Sequence, residues 1–265
     1  MAGSALSGPI LFRPDSDGVG AGFNNLPLGI IQSFGVDGIS GVDYYFNHFH
    51  KWEGPTAATV TTGLLGGWFM VTETNGWAIA LGTGDRGGTL AFTGITTAGA
   101  GSLHMGQTAV LPNTWGYTVG KRMWMFTRMK VSADFAGTAQ WFMGFGTAVA
   151  VPYTTVPTNG LFLRNATTAA KLDISANEGS NITTKTNAIT LAATVYTVIG
   201  FYVDSAGNVH VYQDGTEITA ALIAVGSTGL ATLNGDATKL MQFMIAGAIE
   251  TKVVTLDWLL VAQEN

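Results

Sequence analysis

The sequence predicts an all-β protein, a sandwich of two antiparallel sheets behind an extended N-terminal arm. Three observations carry this. Asp214-Gly215 separates Val209–Gln213 from Thr216–Thr219; Asp-Gly between alternating runs specifies a two-residue hairpin, because both central residues take φ > 0. Short β-branched and aromatic runs recur from Tyr44 to Ala262, separated by glycine-rich punctuation, as in strands joined by tight turns. No long run places apolar residues at three- and four-residue spacing between caps, so helix signals are poor.

The strands are expected at Tyr44–Phe49, Ala57–Thr62, Gly67–Thr72, Gly76–Gly82, Gly88–Phe92 and Ser102–Val110. They continue at Arg122–Val131, Ala139–Phe145, Gly160–Arg164, Ala170–Ala176, Asn181–Thr186 and Val195–Asp204. The last four are Val209–Gln213, Thr216–Thr219, Lys239–Gly247 and Lys252–Ala262. Sixteen short strands at this spacing suit a sandwich or jelly roll rather than a parallel α/β sheet. No proline follows Pro157, which suits closely paired strands, since proline cannot donate to a sheet ladder. In Arg122–Val131 the residues alternate. Met123, Met125, Met129 and Val131 share one face; Trp124, Phe126, Arg128 and Lys130 share the other. The methionine face is expected inside the sandwich and the Trp124 face against another layer, the arm or a neighbouring subunit.

Residues 1–42 differ from residues 43–265. They carry four charges, Arg13, Asp15, Asp17 and Asp37, and two apolar patches, Pro9–Phe12 and Leu26–Ile31. Such a segment cannot bury a core of its own. It reads either as a flexible terminus or, the favoured reading, as an arm that docks its apolar patches on another subunit through Ile10, Leu11, Phe12, Leu26, Leu28, Ile30 and Ile31. Trp124 and Phe126 are the matching interface residues on the sandwich.

Composition narrows the function classes. Charged residues are 11% of the 265, against about 25% in ordinary domains, so broad neutral contact surfaces are expected. The absence of cysteine rules out disulfides and thiolate metal sites. The 12 Lys and Arg are scattered and the net charge is −5, so the basic footprint of nucleic-acid binding is missing. No apolar run nears the roughly 20 residues of a membrane helix, and the first residues lack the basic and apolar regions of a signal peptide. No nucleic-acid or membrane partner is expected.

Candidate chemistry is sparse. His48 and His50 share a strand face but have no acidic cluster nearby in sequence, so a structural role is expected over a metal site. Glycoside hydrolysis needs two carboxylates across a sugar ring. Asp204 and Asp214 fall in turns, while Glu73, Glu178, Glu217 and Glu250 stand isolated. Gly82–Gly88 is glycine-rich but lacks the Lys-Ser/Thr of a phosphate loop. No catalytic residue, cofactor or metal site is assigned, and the chain is expected not to be an enzyme. The seven tryptophans fit core or interface positions better than a carbohydrate platform.

Several segments carry a resemblance through their order. They are Tyr44–Phe49, Lys121–Val131, Trp141–Phe145, Asn159–Arg164, Tyr196–Asp204, Val209–Gly215 and Leu256–Glu264. Together they resemble tailed-bacteriophage virion proteins with a concanavalin A-like jelly roll, over residues 43–265. The resemblance implies a capsid decoration, or cement, protein that binds the outer surface of a phage head and stabilises it. It would be assembled in the host cytoplasm and located in the virion. Its partners would be the major capsid protein and further copies of itself, a trimer being favoured over a dimer. The alternative is a carbohydrate-binding module on a phage tail or fibre. The sugar- and calcium-binding residues of legume-type lectins are not visible, so saccharide binding does not carry over from the resemblance.

Overall fold

The computed structural model describes residues 42–47, 49, 61–65, 68–72, 77–82, 88–94, 101–105, 115–132, 140–147, 157–165, 171–234, 241–248 and 253–264. Within them are sixteen strands. These are β1 (Val42–Asn47), β2 (Thr61–Leu65), β3 (Trp68–Thr72), β4 (Trp77–Gly82), β5 (Thr89–Gly94), β6 (Gly101–Met105), β7 (Met123–Val131) and β8 (Gln140–Gly146). They continue as β9 (Asn159–Asn165), β10 (Lys171–Glu178), β11 (Asn181–Thr190), β12 (Thr197–Val203), β13 (Val209–Gln213), β14 (Thr216–Glu217), β15 (Gln242–Ala248) and β16 (Val253–Glu264). Each expected strand has its counterpart, with ends displaced by a few residues. One such displacement, Ala57–Thr62 expected against Thr61–Leu65 observed, falls where glycines leave strand ends weakly marked.

The strands form two eight-stranded antiparallel sheets. The first runs β14-β13-β12-β7-β16-β5-β4; the second runs β11-β10-β9-β8-β15-β6-β3-β2. The long β16 has β7 along one side. On its other side β5 pairs with Val253–Leu256 and β1 with Leu259–Glu264. The hairpin at Asp214-Gly215 has φ 49° and 80° at its two central residues, the positive values that its sequence demands.

Between the sheets lies one apolar core. Met123, Met125, Met129 and Val131 of β7 meet Phe145, Leu161, Ile174 and Phe243 of the second sheet there, with Phe201 and Val261 from the first. Phe145 packs edge-on to Phe201 and Phe243, with ring centroids 6.0 and 5.8 Å away. The other face of β7 belongs to a separate apolar cluster of Trp124, Phe126, Val198, Trp258, Leu260 and Ala262.

A β-bulge divides β16 between these two clusters. Leu256 pairs with Met129 and Trp258 with Arg128, so Asp257 is the extra residue. In an unbroken strand Leu256 and Trp258 would share a face. The bulge sends Leu256 into the core and Trp258 to the outside. Arg128 takes the bulged Asp257 carboxylate at 2.5 Å, and the Thr127 hydroxyl donates to the Trp258 carbonyl at 2.6 Å. Gly200 lies opposite Phe126 on the outer face. A Cβ there would stand 2.1 Å from the Met125 carbonyl oxygen and 2.6 Å from the Phe126 ring, so any other residue would have to displace one of them.

One short helix forms despite the poor helix signals. Thr228–Leu233 is a short α-helix whose Ser227 N-cap makes no side-chain bond. Burial of Leu230 and Leu233 holds it, and a Cβ on Gly229 would meet the Ala176 carbonyl at 2.1 Å. Packing, not local propensity, makes this helix, so six residues left no periodic mark.

Candidate functional site

The outer face of the first sheet ends, at its β12–β13–β14 side, in a cluster of aromatic and ionic groups. The hairpin builds it. His210 and Tyr212 are two apart on β13 and face outward; Tyr202 pairs with His210, and Glu217 pairs with Tyr212. Asp204 follows β12 and closes the next turn. Its carboxylate accepts from the Asn208 backbone N–H at 2.8 Å and from the Asn208 side-chain amide at 3.1 Å.

His210 is clamped between two carboxylates. Its Nε2 lies 3.0 Å from Asp204 Oδ2 and its Nδ1 lies 2.7 Å from Glu217 Oε1. Burial works to lower the imidazole pKa, but the hydrogen bonds that Glu217 and Asp204 accept from the ring outweigh it and hold the value above 6.5. Burial likewise raises Asp204, and the bonds from His210 and Asn208 reverse this and keep its carboxyl below the usual value. When the imidazole is protonated, both ring nitrogens donate, one to each carboxylate.

The rings continue inward from this clamp. His210 and Tyr202 stack with centroids 6.0 Å apart, and Tyr202 and Trp124 stack at 5.7 Å. The Arg122 guanidinium lies over Trp124 at 5.5 Å and pairs with Glu264, its Nε donating to Oε1 at 2.7 Å. That bond, aided by the Arg122 backbone N–H, holds the Glu264 carboxyl low. Tyr212 packs beside Phe126 at 5.9 Å. Burial, with Glu217, Tyr202 and Asp204 nearby, pushes its phenol up to about 12. Tyr202, His210 and Tyr212 remain half-exposed. The arrangement offers flat rings beside carboxylate acceptors, all fixed by β-pairing.

Of the interface residues expected from sequence, Trp124 and Phe126 lie inward of this cluster and are fully buried. Ile10, Leu11, Phe12, Leu26, Leu28, Ile30 and Ile31 lie outside the described residues, as do His48 and His50. Two acidic residues do more than their sequence context implies. Asp204 does more than close a turn, and Glu217 is not isolated; both bind His210. The hairpin register held the missing signal. With Asp214-Gly215 as the turn, His210, Tyr212 and Glu217 must share a face.

The outer face of the second sheet is closed differently. Phe142 and Phe162 pack there at 5.7 Å, beside Asp173, Ser175 and Asn177 at every second position of β10. Asp173 is 5% exposed. It sits 3.5 Å from Arg164 and accepts from the Asn187 backbone N–H at 2.7 Å. Asn187 has φ 56° at the β10–β11 bulge. These polar groups serve the sheet's own register.

No family model and no curated protein matches the chain. Solved structures do. An endo-1,3-β-glucanase from Streptomyces sioyaensis superposes with a TM-score of 0.53 at 12% identity, over 85% of this chain and 98% of the other. A protein of unknown function from Shewanella oneidensis gives 0.52 at 14%, over 89% and 92%. An endo-β-1,4-glucuronan lyase from Trichoderma reesei gives 0.51 at 14%, over 83% and 94%. The expectation that the chain is not an enzyme is corrected by this: the fold is one on which a glucanase and a lyase are built. The expectation rested on finding no two carboxylates along one strand, whereas a sheet also brings acidic residues together across strands, as Asp204 and Glu217 show. Likeness at this identity establishes a shared architecture, and the chain is a jelly-roll β-sandwich.

Proposed function

We propose that the protein recognises carbohydrate on the outer face of its first sheet, at Tyr202, His210 and Tyr212 with Asp204 and Glu217. One observation carries this: half-exposed aromatic rings stand beside two ordered carboxylates on a rigid hairpin. Sugars present an apolar ring face for stacking and hydroxyl donors at the rim, and aromatic–acidic pairs meet both needs. The glucanase and the lyase share only architecture with this chain, so the reading rests on the cluster itself.

Affinity electrophoresis through gels containing neutral or uronate polysaccharides tests it. Retardation by at least one glycan is expected, weakened at least tenfold by Tyr212→Ala with the far-ultraviolet spectrum unchanged. Migration unaffected by every glycan, or retardation that survives Tyr202→Ala and Tyr212→Ala together, removes the proposal.

The rival reading is capsid decoration, with the major capsid protein as partner and a trimer on the virion. Its support is the sequence resemblance. Co-sedimentation with empty phage heads, absent any glycan retardation, would favour it.

A further inference from the structure

The first sheet ends in β14 on one side and in β4 on the other, and β11 ends the second sheet. A free edge is a template for a further strand, and proteins blunt it with shortness, charge, proline or a bulge. β14 has two residues, one of them Glu217. β11 carries Lys185 and a bulge. Its Thr190 backbone N–H donates to Gln213 Oε1 at 3.1 Å, and Gln213 Nε2 donates to the Thr190 carbonyl at 2.8 Å, so a side-chain amide stands where a strand could add. β4 has none of these devices. Trp77–Gly82 holds no charge and no proline, and all six residues pair with β5 in one unbroken register. Among the described residues no strand pairs with its other side.

The side chains mark the same edge. Ile79 and Leu81 are two apart and share a face, the face on which their cross-strand partners Phe92 and Leu90 enter the core. Ile79 is 2% exposed, yet Leu81 is 41% exposed and Ala80 between them is exposed as well. A leucine directed to the core side is left wet because the sheet stops at β4. We propose that β4 is a self-association edge, at which a second copy of this chain adds its own β4 antiparallel about a two-fold axis and joins the two first sheets into one.

Charge selects a second copy as the occupant. An isologous contact sets one patch against itself, so every charge on it meets its own sign. Self-pairing of β14 would bring Glu217 towards Glu217, and self-pairing of β11 would bring Lys185 towards Lys185; like charges across strands are destabilising. Each copy carries a net charge of −5, but none of it lies on β4. Opposed residues of paired strands share a face, so the axis passes through a residue. With Ala80 on the axis, Leu81 stands opposite Ile79 of the second copy, and its exposed apolar surface is covered. Two-fold pairing gives a dimer where the sequence resemblance implies a trimer. The His210 cluster lies at the opposite edge of the sheet, so the inference is independent of carbohydrate recognition.

The chain has no cysteine, so one introduced thiol reports on one position. In paired β4 strands the two Cβ atoms at position 80 stand about 5 Å apart, close to the span of a disulfide. Under mild oxidation Ala80→Cys is expected to form a covalent dimer at least tenfold faster than Thr216→Cys in the exposed hairpin. Sedimentation of the full chain over a range of concentrations is expected to show a monomer–dimer equilibrium. Leu81→Lys should weaken it at least tenfold with the far-ultraviolet spectrum unchanged. A chain that stays monomeric at every concentration overturns the proposal, as does a trimer. Association that Leu81→Lys leaves unchanged, or equal cross-linking at positions 80 and 216, overturns it too. Should Leu81→Lys disturb the fold, the cross-linking comparison decides alone.

Discussion

The two faces of the first sheet are built by the same strands and are equally dry, yet they are closed by different means. On β7, Met123, Met125 and Met129 point inward while Trp124 and Phe126 point outward, and all are at most 1% exposed. The inner face meets another sheet with its own strand-fixed surface. The outer face has no such partner among the described strands, and at its β13 edge it opens into the half-exposed rings and the His210 clamp. Alternation produces two apolar faces. It does not say what each will meet, and that difference separates the core from the surface where function is sought.

The comparison breaks most sharply under truncation on either face. Met125→Ala should cost roughly 2–5 kcal/mol, because its cavity lies between the sheets. Leu260→Ala, equally buried on the outer face, should cost a similar amount. Denaturant midpoints of the two proteins measure this. A Leu260→Ala cost below about 0.5 kcal/mol would show that the two faces are not equally dry.

A smaller effect is expected at Gly200→Ala. The new methyl must displace the Phe126 ring from the outer face or shift the Met125 carbonyl, at a cost of roughly 1–3 kcal/mol. Phe126→Ala should relieve part of it. If the two substitutions are simply additive in a thermal melt, the glycine is not there to seat that ring.

The smallest effect lies at the exposed edge. His210 binds its proton more tightly when folded, so its contribution is whole below its ordinary value of 6.5 and fades as pH rises through its raised folded value. Asp204 behaves oppositely: its contribution is present above its ordinary 3.8 and fades as pH falls through its lowered folded value. The clamp is therefore complete between those ordinary values. Raising the pH from about 6 to about 9 should lower the melting temperature relative to His210→Asn, by an amount equivalent to at most about 1 kcal/mol for groups this exposed. A His210→Asn protein with the same slope as the parent would deny the clamp any role in stability.

Much of this molecule was legible from its residues. The two-residue period of Met123–Val131 determined which side chains enter the core, because a strand cannot present neighbours to one face. Asp214-Gly215 determined a hairpin, because few other pairs accept φ > 0 twice in succession. Tertiary structure decided what depends on distant partners. The Asp257 bulge moves Trp258 to the outer face, and nothing local marks it, since Arg128 and Thr127 complete it from a strand 129 and 131 residues away in sequence. The helix Thr228–Leu233 exists because Ala176 and its neighbours receive it. The His210 clamp joins a turn acid, a strand imidazole and a hairpin acid. Each looked ordinary alone, because hydrogen bonds across a sheet depend on register in space rather than on spacing along one strand.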